Sequence, residues 1–208
     1  MTYLERNLQI LSEIGEGVAL QRGQRIGESR NGTRFTALGH FPSETLNGEA
    51  FAGLKEMTTL STHPNRRDEW TRRRAVLELA IYSNIADNLP HRADQVPSFY
   101  GLALDRRQKA MGIVMEDLSQ GGAFKVDGMM VRAGQHYPDR QLVKELSNLF
   151  GFEVFDWDLG KSLFRTQGSN RIVLADVDQL IDREVLVDKI AEIEKVLPEH
   201  TINITHRL

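Results

Sequence analysis

One long amphipathic segment limits the folds open to this chain. Residues 68–88 place Trp70, Leu77, Ile81 and Ile85 on one helical face, and Leu89-Pro90 ends the run. Strand-like runs stand on both sides of it. Residues 51–57 precede the helix, and residues 98–104 and 110–115 follow it as an expected hairpin turned by Asp105-Arg106-Arg107-Gln108. Leu4, Leu8 and Leu11 predict a short helix at the start of the chain. From Ile14 to Thr36, Gly15, Gly17, Gly23, Gly27 and Gly32 predict turns between short strands.

The second half has the same mixed character. Asp127-Gly128 is a two-residue hairpin signal within 124–131. Pro138-Asp139 opens a helix whose apolar face is Leu142, Val143, Leu146, Leu149 and Phe150. Residues 163–165 and 172–174 read as a hairpin with Gly168-Ser169-Asn170 at its tip. A last helix carries Leu186, Ile190, Ile193 and Leu197 and stops at Pro198. This order predicts an α+β fold in a single domain, residues 1–208, with an inner boundary near Ser119-Gln120-Gly121-Gly122.

Composition narrows the function classes. A hydrophobic fraction of 40% beside 26% charged residues belongs to a globular chain rather than a disordered one. A formal net charge of −3 gives no global attraction to nucleic acid, and Arg72-Arg73-Arg74 reads as a solvated helix face. The absence of cysteine excludes disulfides, thiolate metal sites and cysteine nucleophiles. No apolar run approaches the ~20 residues of a membrane span, and the first residues lack the layout of a secretory signal.

Several short stretches carry chemical potential. Gly27-Glu28-Ser29-Arg30-Asn31-Gly32 puts small residues at its first, third and sixth places. A loop that brings backbone N–H groups against phosphate oxygens needs such gaps, although an ordinary turn needs them too. Ile14-Gly15-Glu16-Gly17 is a rival loop without the later glycine. Lys55 ends the run Ala52-Gly53-Leu54-Lys55, where its ammonium is either a surface charge or a cation for phosphate. Glu78 lies beside the apolar stripe of the long helix and is a partner for Lys55, with Glu69 as the competing choice. Met111 to Leu118 is an apolar strand running out into Glu116-Asp117-Leu118, either an ordinary edge or main chain able to bond a flat heterocycle. Asp158 and Asp176 flank the expected 163–174 hairpin, which brings its ends together. One carboxylate there can take a proton from a hydroxyl and the other can hold a metal; both can also be acidic turn caps.

In this order the pieces resemble the protein-kinase-like fold, over about Gly23 to Leu180. The resemblance implies a minimal two-lobe kinase, with an N-lobe of about residues 1–118 and a strongly reduced C-lobe of about 119–208. It implies ATP and Mg²⁺ as cofactors. Gly27, Ser29 and Gly32 would cover the phosphates, Lys55 would contact them, and Glu78 would pair with Lys55. Met115 would be the gatekeeper, and Glu116 and Leu118 would hold adenine through their main chain. Asp158 would be the catalytic base, with Asp156 the other candidate, and Asp176 the magnesium ligand. The second metal position falls on Ser162 in a loop one residue short, or otherwise on Leu163, which cannot bind metal.

The sequence departs from the kinase pattern at Asp156-Trp157-Asp158 and in how little chain follows Asp178. That truncation resembles bacterial type III secreted effector kinases, and in size the HopBF family, which phosphorylates the host Hsp90 chaperone. The resemblance implies a Ser/Thr protein kinase that enters the host cytoplasm by a route reading no signal peptide, and otherwise a cytoplasmic one. Two other readings stay open. Val114-Met115-Glu116-Asp117-Leu118 is similar to the hinge of aminoglycoside and choline phosphotransferases, but their long helical insert has no room here. A nucleotide-binding pseudokinase would explain the altered Asp156-Trp157-Asp158, but not the retained Lys55, Glu78, Asp158 and Asp176.

Overall fold

The computed structural model describes residues 1–15, 25–28, 33–57, 64–118, 140–151, 163–165, 171–175, 177 and 183–203. The elements are α1 (Tyr3–Gly15), β1 (Arg25–Glu28), β2 (Thr33–Ser43), β3 (Gly48–Met57), α2 (Pro64–Asn88), β4 (Phe99–Leu104) and β5 (Ala110–Glu116). They continue with α3 (Arg140–Phe150), β6 (Leu163–Arg165), β7 (Ile172–Leu174), α4 (Val187–Val196) and β8 (Thr201–Asn203). Short 3₁₀ turns at Pro90–Gln95, Arg183–Leu186 and Leu197–Glu199 connect them. The fold is α+β, as the order of periodic segments predicts.

Six strands form one sheet in the order β1-β2-β3-β5-β4-β8, and β6 and β7 form a separate antiparallel pair. Every neighbour in the large sheet is antiparallel except β4 and β8, which run parallel with Leu102 opposite Thr201. The strand periodicity of two sorts side chains between two cores. Ala52, Leu54 and Val114 face α1, packing with Ile10, Leu11 and Ile14. Ile113 and Met115 face the other way, against Leu79, Ile81, Tyr82 and Ile85 of α2. Leu142, Leu146 and Phe150 of α3 and Ile190 and Ile193 of α4 join this second core.

Helix α2 begins on Pro64, whose fixed φ suits a first helical position, and ends before Leu89-Pro90. Residues 78–83 are buried without a break. A helix covered on more than one side loses its amphipathic contrast, and α2 lies between the sheet and α4. This corrects the expected face: Leu77 is only partly buried and Trp70 is 47% exposed, whereas Ala75, Leu79 and the polar Glu78 and Ser83 are sealed. The solvated reading of the arginine run also needs correction. Arg73 pairs with Glu69 in the open, but Arg74 turns inward onto Glu78.

The hairpin β4–β5, the hairpin β6–β7 and helices α1, α3 and α4 agree with expectation. The expected turns at 124–131 and 168–170, and the boundary at 119–122, lie outside the described residues. The rival glycine loop starts inside α1, where Ile14 is core and Gly15 is the last helical residue. The elements after residue 118 do not all keep to themselves. Helix α4 packs on α2, and β8 extends the sheet built from residues 25–116.

That return creates one very close approach. A Cβ added to Gly101 of β4 would lie 2.9 Å from the His200 carbonyl oxygen and 3.1 Å from Leu11 Cδ2. The same carbonyl accepts the Leu102 N–H at 2.7 Å. Gly101→Ala is therefore expected to push β8 from the sheet edge at a cost of about 1–3 kcal/mol, read as a lower urea midpoint with an unchanged m-value. An unchanged midpoint would show that β8 yields freely.

Candidate functional site

The site begins at the last residues of β3. Lys55 stands opposite Phe35 on β2 and Ile113 on β5, in the middle of the sheet. Strand alternation turns Leu54 toward α1 and Lys55 toward α2. There the lysine Nζ lies 2.6 Å from Glu78 Oε1, with the two side chains 1% and 0% exposed. The Phe35 ring lies 5.8 Å from the same Nζ, within cation–π range. Arg74, one turn before Glu78 on α2, donates from Nε to the same Oε1 at 2.8 Å. The other carboxylate oxygen, Oε2, is buried with no hydrogen-bond partner among the described residues.

Glu69 is no competitor, because it is exposed and paired with Arg73. The helical period left both open, because Trp70 beside Glu69 was expected on the apolar face; the exposure of Trp70 and the burial of Leu79 and Ile81 decide for Glu78. Arg74 carried a weak signal, its i, i+4 spacing to Glu78.

A buried ion pair is seldom a source of net stability, since desolvation offsets the attraction. Here it fixes geometry. The Lys55 ammonium has three N–H groups on a flexible stem, and Glu78 restrains its direction at the end of a central strand. The arrangement can hold a positive charge in place for an anion.

The row next to Lys55 toward the end of β5 is narrow. Ala37 of β2, Gly53 of β3 and Met115 of β5 lie in register across three strands. A Cβ on Gly53 would stand 3.5 Å from Asp117 Cβ, so the chain leaving β5 passes close over this row. Met115 is buried in the core shared with α2.

The exit of β5 is tied down from several sides. Glu116 donates its main-chain N–H to the Ser98 carbonyl at 2.8 Å, and Asp117 donates its own to Phe51 O at 2.9 Å. The Glu116 carboxylate accepts the Ser98 N–H at 3.0 Å and pairs with Arg171. Tyr3 of α1 reaches the same corner, donating its hydroxyl to Pro97 O at 2.6 Å and accepting the Phe99 N–H at 3.1 Å. Burial, and then the Glu116 charge, push the Tyr100 hydroxyl well above its ordinary pKa, so it stays a neutral donor. Arg6, Tyr100, Asp94, Glu116 and Arg171 are among the residues lining a cavity of about 390 Å³ behind this corner.

The expected residues divide into two groups. Lys55 and Glu78 are in contact, Met115 and Glu116 end the strand beside Lys55's own strand, and Leu118 follows two residues on. Gly27 sits in β1 opposite Phe35, next to a register shift. Ser29, Gly32, Asp156, Asp158, Ser162 and Asp176 lie outside the described residues. Among the described residues, no helix is long and apolar enough to cross a membrane. No family model, curated protein or solved structure matches the chain.

Proposed function

We propose that this chain is an ATP-dependent phosphotransferase of protein-kinase-like architecture, acting on a protein hydroxyl. The observation that carries this reading is the sealed Lys55–Glu78 pair, with the lysine from the third strand and the carboxylate from the helix that follows it. Phosphoryl transfer needs little covalent help from the protein. It needs phosphate charge neutralised and the reacting groups aligned. A lysine held by a buried carboxylate supplies the first, with a fixed direction. Ala37 and Gly53, in register with Met115, put little side chain between that lysine and the exit of β5, where this reading seats the base.

In this reading Gly27, Ser29 and Gly32 admit the phosphates, and Glu116 and Leu118 offer main-chain groups to adenine. Asp176 and Ser162 would hold Mg²⁺, whose charge would offset that of the phosphates. Asp158 accepts the proton of the attacking hydroxyl. The target is a host protein, with the Hsp90 chaperone the first to try, and the chain reaches it as a secreted effector.

The test is incubation of the pure protein with γ-labelled ATP, Mg²⁺ and a eukaryotic cell extract, alongside Asp176→Ala. Label on one or a few protein bands, lost in the variant, is the expected result. Equal labelling by Asp176→Ala would sink the metal assignment. No label on protein, with melting raised by ATP but not further by Mg²⁺, would favour a nucleotide-binding module instead.

A further inference from the structure

Arg171 makes four hydrogen bonds to described residues away from the Lys55–Glu78 site. It immediately precedes β7, at the start of the strand that leads to Asp176. Its Nε donates to the Asp94 carbonyl and its Nη2 to the Val96 carbonyl at 3.2 Å, both at the turn before β4. Nη1 donates to Glu116 Oε1, and Nη2 to Glu116 Oε2 at 3.2 Å. One guanidinium thus joins three segments: the turn at Pro90–Gln95 with its following residue, the end of β5 and the start of β7. The fork-on-fork contact with Glu116 fixes an orientation as well as a distance.

The two sides of this junction are not equally secured. The end of β5 keeps its backbone bonds from Glu116 to Ser98 and from Asp117 to Phe51 without Arg171. The β6–β7 pair is only three residues long on each strand and is not part of the large sheet. Val173, Leu174, Ala175 and Val177 are buried, which resists removal of the hairpin but is non-directional and does not tie it to the exit of β5. Arg171 supplies the directional contact.

We propose that Arg171 is a positioning residue for phosphoryl transfer: it locks the hairpin leading to Asp176 in register with the exit of β5. This rests on the phosphotransferase reading. Arg171 touches no reacting atom; it acts through the hairpin. Its loss leaves the nucleotide platform in place and lets the hairpin shift, and a shift of about 1 Å in a reacting group is enough to cost about 10²-fold in rate.

The experiment compares wild type, Arg171→Lys and Glu116→Gln by melting, by hydrogen exchange at Val173 and Leu174, and by kcat and KM for Mg-ATP. Lysine keeps the charge but cannot make the forked contact. The expected result for Arg171→Lys is a native melting profile, exchange at Val173 and Leu174 faster by about tenfold or more, and kcat down by about 10²-fold. KM for ATP stays close to wild type. Glu116→Gln moves in the same direction by less, and it carries the test if Arg171→Lys does not fold. A merely structural role would lower stability and kcat together, with activity restored on cooling. Wild-type turnover with kcat unmoved in both variants would overturn the positioning role alone. A wild type that transfers no phosphate, with exchange still faster in Arg171→Lys, would overturn the phosphotransferase reading and the catalytic part of this proposal with it.

Discussion

Glu78→Leu is expected to destabilise the protein by about 3–5 kcal/mol, whereas Lys55→Met should cost about half as much. The asymmetry follows from two cations sharing one oxygen. Lys55 Nζ and Arg74 Nε both lie within hydrogen-bond distance of Glu78 Oε1, in a region almost closed to water. Removing the carboxylate leaves two positive charges facing each other where neither is well solvated. Removing the lysine leaves Glu78 with Arg74, and methionine fills most of the space that the lysine stem occupied. Urea unfolding at neutral pH would read the difference. For a chain of this size, the larger loss corresponds to a melting drop of roughly 6–20 °C. On the proposed function, Lys55→Met should remain folded and still lose phosphotransfer, separating the chemistry of the pair from its part in stability. Equal destabilisation by the two variants would mean that Arg74 does not stand in for the lysine.

Gly112→Ala should be as damaging, for a purely steric reason. Gly112 lies in β5 opposite Glu56, and an added Cβ would sit 2.5 Å from the Lys55 carbonyl oxygen and 2.9 Å from Leu54 Cδ1. The obstruction is backbone in the middle of the sheet, flanked by β2 and β4, so neither strand can move aside alone. The expected cost is at or above the ~3 kcal/mol upper end of ordinary overpacking. Because the carbonyl belongs to Lys55, the displacement also turns that residue away from Glu78. The control is Gly15→Ala at the end of α1, where a Cβ meets nothing within 4 Å. That change should be neutral or stabilising by up to about 1 kcal/mol. A Gly112→Ala protein with the melting temperature of wild type would show that β3 and β5 separate more easily than their packing implies.

The elements that the sequence announced are those whose pattern is local. The period of α3 and the β4–β5 hairpin could be read directly, and so could the core residues Ile190 and Ile193 of α4. The Lys55–Glu78 contact was legible only in part: each residue abuts an apolar run, but Lys55 could equally have been a surface charge and Glu69 its partner. What escaped depends on distant partners. Trp70 shares a helical face with Leu77 but stays half-exposed, because the width of the buried face is set by the layers that cover α2. Strand β2, not anticipated from the sequence beyond Thr36, runs through Gly39 and Pro42. It continues because β1 pairs only as far as Thr36, so a proline N without hydrogen disturbs no ladder on that side. Arg171 gave no signal, since Glu116 lies 55 residues away in the chain. Gly112 did leave one: a glycine inside an apolar strand often marks a close backbone approach.

The parallel seam between β8 and β4 governs when this molecule can be finished. Leu102 and Thr201, paired across it, are about a hundred residues apart, a long loop to close before the contact is gained. While the chain is being made, β4 is an open edge and part of α2 lacks its cover. Both wait for residues 183–203, which are synthesised after every other described element. A ribosome that stalls before that stretch would release a sheet with one ladder exposed, the kind of surface on which other strands add.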